Sequence, residues 1–192
     1  MRLRIPAAVF LVCLVLAPTV RGQGTPARRP DAPHLAPYVP TPQDVVDRML
    51  TLAGVGKNDQ VYDLGCGDGR IPITAARRFG ARGVGVDIDP QRIKEANANA
   101  AAAGVTSLVT FKLQDAMTTD VSEATVVTLY LLSASNLKLR PILTRQLKPG
   151  SRIVSHSFGM GDWRAEKVDS FVDLNDRSQT LYLWRTDGTI RQ

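Results

Sequence analysis

A short run of glycines preceded by an acid is the part of the sequence best suited to chemistry. Residues 61–70 read Val-Tyr-Asp-Leu-Gly-Cys-Gly-Asp-Gly-Arg, so that Gly65, Gly67 and Gly69 alternate and Asp63 stands two residues before the first of them. An apolar strand that runs into such a turn and then into a helix is typical of a nucleotide-type cofactor site. The segment therefore predicts a cofactor site at the end of a buried strand.

The spacing of this turn argues against a dinucleotide. Dinucleotides place a pyrophosphate on a Gly-x-Gly-x-x-Gly turn, and the position of its third glycine holds Arg70 here. The carboxylate of Asp63 would also repel a phosphate. S-adenosylmethionine (SAM) has no phosphate but carries an ammonium and a sulfonium, which an acid attracts. We therefore predict SAM as the cofactor, with Asp63, Gly65 and Gly67 among its ligands, and place an NAD-dependent oxidoreductase last.

Two further acids stand at the ends of predicted strands. Asp87 lies 18 residues after Gly69, close to the spacing of ~20 residues expected for an acid that binds a ribose. Its carboxylate can accept hydrogen bonds from both vicinal hydroxyls. Asp115 is predicted to accept a hydrogen bond from the exocyclic amine of adenine. Both acids, together with Asp63, are expected to meet beyond the carboxyl ends of a parallel sheet.

The elements that must position these acids alternate between strands and helices. An opening helix is predicted after Thr41, which we expect to be its cap with Pro42 at the first helical position. Strands are predicted at 60–64, 83–86, 108–113, 124–132 and 152–158, helices at 71–79, 89–104 and 137–147, and a terminal hairpin at 167–172 and 180–184. This alternation predicts an α/β, Rossmann-like fold with a mostly parallel sheet, helices on both faces and a C-terminal antiparallel hairpin.

The N-terminal region differs in composition from the rest of the chain. Residues 1–22 have the charged start, apolar run and small residues of a signal peptide, with a membrane anchor as the alternative. Residues 23–40 are predicted to be a linker rich in proline and arginine, and 41–192 the catalytic domain. The chain is therefore expected to be exported or periplasmic. The alternative is a chain that is anchored to a membrane with its domain facing the cytosol, where SAM is made. This alternative implies membrane association through the N-terminal segment.

The net charge gives little support to a nucleic-acid partner. The chain carries a formal charge of +6, but Arg2, Arg4 and Arg21 lie in the first 22 residues, which contain no acid. Without those three arginines the charge is +3, which is small for a protein that neutralises phosphates. No metal site is expected.

Three short motifs carry a family resemblance. They are Tyr38-Val39-Pro40, the run from Asp63 to Ile71, and Arg152-Ile153-Val154-Ser155. With these motifs, the residues from about Tyr38 to Trp184 resemble class I, seven-stranded SAM-dependent methyltransferases. More narrowly, they resemble the small protein-lysine methyltransferases whose eukaryotic members modify the c subunit of mitochondrial ATP synthase. The resemblance implies that Gly65 and Gly67 hold the methionine part of SAM and that Asp87 holds the ribose. Tyr38 is predicted to lie at the cofactor, and it is also a candidate for the rim that orients the acceptor amine.

The resemblance implies methyl transfer to a protein side chain, with lysine as the favoured acceptor. The end of the predicted fourth strand, Tyr130-Leu131-Leu132-Ser133, lacks the Asn/Asp-Pro-Pro-Tyr pattern of enzymes that methylate amides and base amines. Tyr130 and Trp163 are the candidate catalytic residues, because aromatic groups can orient a neutral amine. His156 is a candidate base, although a hydrogen-bonded core histidine is the favoured interpretation.

Other functions stay open at this point. A small-molecule methyltransferase would predict an inserted lid, and an RNA methyltransferase would predict an added basic or aromatic module. The loop at 159–165 is short, which predicts an open site and a macromolecular acceptor. A protein that binds SAM without catalysis is the remaining alternative, because the turn and the acids argue for binding alone.

Overall fold

The computed structural model, which describes residues 35–192, builds seven strands and four helices from the predicted alternation. The helices are α1 (Gln43–Leu52), α2 (Arg70–Phe79), α3 (Pro90–Ala102) and α4 (Ser133–Gln146), with a single 3-10 turn at Ala116–Thr118. The strands are β1 (Gln60–Leu64), β2 (Arg82–Asp87), β3 (Val109–Leu113), β4 (Val126–Leu129), β5 (Arg152–His156), β6 (Lys167–Val172) and β7 (Ser178–Arg185).

All seven strands belong to one mixed sheet. Their order is β3-β2-β1-β4-β5-β7-β6. Strands β1 to β5 are mutually parallel, whereas β7 pairs antiparallel with both β5 and β6. The strand order reverses between β1 and β4, and ligands of open α/β sheets bind at such a switch point. The predicted Rossmann-like fold and its C-terminal hairpin are confirmed.

The two faces of the sheet are covered by different helices. On one face, α1 and α2 pack with Val61 of β1 and Leu181 of β7, and α2 and α3 pack with Phe111 of β3. On the other face, α4 packs with Tyr62 of β1 and Trp184 of β7. Neighbouring residues such as Val61 and Tyr62 thus point to opposite faces, as the period of a strand requires. This double cover fixes the carboxyl ends of the central strands at one edge.

Several details of the predicted elements are wrong, among them the end of the fifth strand, which is His156 and not residue 158. Thr41 does not cap α1, because Pro42 occupies the cap position and no side chain bonds the first turn. Strand β4 ends at Leu129, whose partner is Leu64, the last residue of β1. Since β1 turns away into the glycines at that point, the chain beyond Leu129 has no partner on the β1 side. The residues 130–132 therefore form a loop, and α4 begins at Ser133, four residues earlier than predicted.

The N-terminal segments fall mostly outside the described residues. Residues 1–22 and the first part of the predicted linker are among them, so their prediction as a leader is not tested. The last residues of the linker do contact the folded core, because Leu35 and Ala36 pack against the cluster around α4. Within residues 35–192, no helix is long and apolar enough to cross a membrane.

Candidate functional site

A cavity of about 330 Å³ lies at the carboxyl ends of the central strands. Its walls come from residues 35–41, parts of the turn between 63 and 71, residues 86–89 with Arg92, residues 114–116, and Tyr130 with Leu131. All six predicted cofactor residues line it, namely Tyr38, Asp63, Gly65, Gly67, Asp87 and Asp115. Their roles in binding stay predictions, but the structure brings them together in one place.

The glycine turn has a shape that only glycine accepts easily. Gly65, Gly67 and Gly69 have φ angles of 84°, 52° and 79°, in the left-handed region that costs other residues energy. A Cβ added at Gly67 would lie 2.5 Å from Cε2 of Tyr38. Tyr38 therefore lies directly against the turn, and the absence of a side chain at Gly67 makes room for its ring.

Asp87 is held in place by the turn that it faces. Its Oδ2 accepts a hydrogen bond from the Gly67 amide at 2.9 Å, and its Oδ1 accepts one from the Asp89 amide at 2.9 Å. A carboxylate oxygen has a second lone pair, so each can still accept a bond from a ligand hydroxyl. The arrangement is a rigid pair of acceptors at the end of β2, as a ribose requires.

Asp63 is the buried acid of the site. Only 3% of its surface is exposed, and its Oδ1 accepts a hydrogen bond from the Thr128 hydroxyl at 2.7 Å. Burial raises the pKa of Asp63 to about 7, although the Thr128 bond opposes the shift. A buried carboxyl without a cation beside it is costly to ionise. An ammonium group of a ligand would therefore be a strong partner for it.

This pKa leads to a pH dependence of ligand binding. S-adenosylhomocysteine carries an ammonium that prefers ionised Asp63, and the ionised form is lost as the pH falls through the pKa of about 7. We expect its dissociation constant, measured by calorimetry, to rise roughly tenfold from pH 8 to pH 6. In the Asp63→Asn variant the dissociation constant should be larger at pH 8 and should not change between pH 8 and pH 6. An equally steep slope in that variant would rule out Asp63 as the titrating group.

Two arginines, Arg70 and Arg92, contact the 35–41 segment of the cavity wall. The sequence analysis did not assign either of them to the site. Arg70 forms an ion pair with Asp68 at 2.6 Å and donates a hydrogen bond to the Thr41 carbonyl at 2.7 Å. The guanidinium of Arg92 lies 4.3 Å from the ring centroid of Tyr38. Arg70 thus links the 35–41 segment to the start of α2, and Arg92 links it to α3. The position of Arg92 could have been predicted from the sequence, since it lies in the first turn of the helix that follows Asp87.

The predicted catalytic residues separate in the structure. Tyr130 lines the cavity in the loop after β4. Trp163 does not line it; the residue packs against Trp184 with 6.0 Å between ring centroids, and its carbonyl accepts a bond from the Trp184 indole. His156 is also outside the cavity lining and 1% exposed. Of the aromatic groups predicted for the acceptor rim, Tyr130 and Tyr38 line the cavity, and a catalytic Trp163 stays a prediction without structural support.

The charges of the cavity fit a cationic ligand without phosphate. Five aspartates and two arginines line it, and one of these arginines is paired with Asp68. Such an acidic wall favours the ammonium and sulfonium of SAM and disfavours a pyrophosphate. Among residues 35–192 there is no group of three or more acids, histidines or cysteines that could hold a metal ion. The residues present thus fit SAM, and the roles of Asp63 toward its ammonium and of Asp87 toward its ribose stay predictions.

Comparisons with known proteins agree with this geometry. Residues 63–167 match the model of the ANTKMT methyltransferase domain. A protein-lysine N-methyltransferase from Saccharolobus islandicus is 49% identical over 153 residues, which cover 79% of this chain and 94% of that protein. A ribosomal protein L11 methyltransferase from Photobacterium profundum is 32% identical over 117 residues, 61% of this chain. The match spans only 38% of that longer relative.

A similar solved structure contains the product of the cofactor. The crystal structure of an RNA methyltransferase from Salinibacter ruber in complex with S-adenosyl-L-homocysteine is 55% identical to this chain. It superimposes with a TM-score of 0.74 and covers 80% of this chain and 97% of that one. Two similar proteins of nearly equal length thus carry names with different acceptors, a lysine and an RNA.

Proposed function

Since the chain belongs to the family of ANTKMT methyltransferase domains, we propose that it transfers a methyl group from SAM to a lysine side chain of a protein. It is a SAM-dependent methyltransferase; the acceptor is the part that we propose. Support comes from the lysine methyltransferase that is 49% identical over 94% of its own length. The observation that carries the proposal in this chain itself is the excess of aspartates over arginines around the cavity.

This charge pattern favours a cationic acceptor. Lysine approaches as an ammonium, which an acidic opening attracts. The phosphate backbone of an RNA is anionic, so the same opening would repel it. The part of the chain that the structure describes carries 19 lysines and arginines against 17 acids, a net of +2. A protein that reads RNA through its phosphates would need a much larger positive excess.

The part of the cavity wall that we expect to bind the cofactor is separate from the part that we expect to contact the acceptor. The acids lie at the ends of β1, β2 and β3 or in the turns that follow them, whereas Tyr130 and Leu131 follow β4 on the other side of β1. When bound, SAM supplies a methyl group on a sulfonium, which is already a good leaving group. The chain itself must therefore align the acceptor more than activate it.

The acceptor must also lose a proton. A lysine has a pKa of about 10.4 in water, and its neutral form is the nucleophile. The apolar surfaces of Tyr130 and Leu131 would disfavour the ammonium once water is excluded. No charged residue is needed for this step, since the amine can release its proton to solvent as it enters the cavity, before water is fully excluded. Tyr130 would then orient the neutral amine through its ring face and its hydroxyl.

RNA is the second candidate acceptor, because the Salinibacter ruber neighbour is named an RNA methyltransferase. The two can be separated by incubating the full chain with methyl-labelled SAM and a cell extract that contains both protein and RNA. We expect label that protease releases and nuclease leaves intact. Label that nuclease releases would show that the acceptor is RNA and would contradict the proposal.

The location of the enzyme remains a separate proposal. We propose that residues 1–22 export the chain or anchor it to a membrane, on the basis of their charged start and apolar run. Anchoring with the domain facing the cytosol would give it access to SAM. Fractionation of cells that express the full chain with and without residues 1–22 tests this. Equal recovery of both forms in the cytosolic fraction would contradict it.

A further inference from the structure

A buried histidine, His156, lies directly behind Tyr130, the aromatic residue that we expect to orient the acceptor amine. His156 ends β5 and is 1% exposed. Its ring centroid is 3.9 Å from that of Tyr130, with the ring planes 31° apart. Phe158 adds a second, looser ring at 6.4 Å from Tyr130. Tyr130 and Thr41 line the cavity whereas His156 does not, so the imidazole reaches the site through these two residues.

The imidazole itself is fixed by hydrogen bonds on both sides. Its Nε2 lies 2.7 Å from Oε1 of Gln179, and Nε2 of Gln179 donates to Oδ2 of Asp173 at 2.6 Å. A carboxylate only accepts, so the amide of Gln179 must present its oxygen to the histidine. The histidine therefore carries its proton on Nε2, and its Nδ1 is left to accept a longer, 3.5 Å contact from the Thr41 hydroxyl.

These contacts leave His156 unsuited to act as the base. Burial lowers the pKa of His156, although Gln179 and Asp173 oppose the shift. The neutral ring has both nitrogens engaged and no face toward the cavity. Its contacts are instead with the ring of Tyr130 and the hydroxyl of Thr41, and both of these residues line the cavity.

Tyr130 needs such a support because little else holds it. It follows the end of β4 and lies outside the hydrogen-bonded ladder. Its hydroxyl has no hydrogen-bond partner among residues 35–192. Packing of its ring is therefore what sets its direction, and small errors in the position of a group that orients a substrate can lower the rate ~100-fold.

We propose that His156 is a positioning residue for methyl transfer: it holds the Tyr130 ring at the angle that aligns the acceptor amine. This inference rests on the proposed lysine methylation. It assigns His156 a role in the rate of transfer and none in cofactor binding. Gln179 and Asp173 fix the imidazole, so that the paired ends of β5 and β7 set the direction of Tyr130.

The test compares His156→Leu, which removes the ring, with His156→Phe, which keeps a ring under Tyr130. In the full chain, we expect His156→Leu to lower the initial rate of lysine methylation in the extract ~10- to 100-fold. The affinity for S-adenosylhomocysteine by calorimetry should stay within about twofold, and His156→Phe should recover most of the rate. Equal losses in both variants, or a parallel loss of cofactor affinity, would overturn the proposal.

A double substitution separates positioning from a general loss of stability. In a Tyr130→Leu background, His156→Leu should lower the rate no further, because there is no ring left to position. An additional loss as large as in the unaltered chain would show that His156 acts in another way. A wild-type chain that methylates no lysine would refute the proposed function, and this inference would fall with it.

A spectroscopic measurement covers the case in which His156→Leu does not fold. The chain has two histidines, so His34→Gln leaves His156 as the single imidazole. Nitrogen-15 spectra of that variant should show a neutral ring with the proton on Nε2 at pH 7, and Gln179→Leu should abolish this preference. A ring that is protonated on both nitrogens, or that exchanges between tautomers, would overturn the fixed support.

Discussion

Replacing Asp87 with alanine is expected to weaken the binding of S-adenosylhomocysteine at least ~100-fold. The variant loses the two acceptors that face the ribose position and also the partners of the Gly67 and Asp89 amides. Hydrogen bonds to a charged group contribute ~1.5–3 kcal/mol each, so the loss of two corresponds to about two orders of magnitude. Calorimetric titration of the full chain at pH 8, where Asp63 is mostly ionised, measures the effect.

The Asp87→Asn variant is the matched control for this prediction. It keeps the shape of the side chain and one acceptor but loses the charge, so we expect an intermediate loss of roughly tenfold. Thermal unfolding of both variants should show whether the fold persists, because an unfolded chain would also fail to bind. Unchanged affinity in a folded Asp87→Ala variant would remove the ribose role from this residue.

Replacing Gly67 with alanine should reduce cofactor affinity at least ~10-fold, for a different reason. The new Cβ would lie 2.5 Å from Cε2 of Tyr38, so the ring must move away from the turn. The φ of 52° adds strain of ~1 kcal/mol for any residue with a side chain. Since Tyr38 and Gly67 both line the cavity, the displacement would alter the wall where we expect the methionine part of SAM.

Gly104 provides the control for strain alone. Its φ is 69°, similar to that of Gly67, but a Cβ there would have no atom within 4 Å. Gly104→Ala should therefore lower the unfolding free energy by about 1 kcal/mol and leave the affinity for S-adenosylhomocysteine unchanged. If Gly67→Ala and Gly104→Ala had the same small effect on binding, the contact with Tyr38 would not matter to the cofactor.

The positions of the acids could be predicted because local sequence determines them. Asp63 and Asp87 stand at the ends of apolar strands, and the rule that parallel strands end at a common edge brings them together. The glycine turn is equally local, since alternating glycines allow the positive φ angles that the structure shows. The fold class, the cofactor and the terminal hairpin followed from the same short-range patterns.

The acceptor side could not be predicted in the same way, because it depends on distant contacts. The support of Tyr130 requires His156, which is fixed by Gln179, 23 residues further along the chain. The loop position of Tyr130 follows from the point at which β1 ends, and no pattern within 124–132 reveals it. Thr41 reads as a helix cap in sequence, yet its hydroxyl faces His156 across 115 residues.

The measurement that tests the central claim most directly is identification of the methylated residue. The full chain and its Asp87→Ala variant would be incubated in parallel with methyl-labelled SAM and a cell extract, and the labelled products hydrolysed and separated. Our account predicts labelled methyllysine in the wild-type reaction and almost none in the variant. Labelled nucleosides without methyllysine, or equal labelling by both forms, would contradict it.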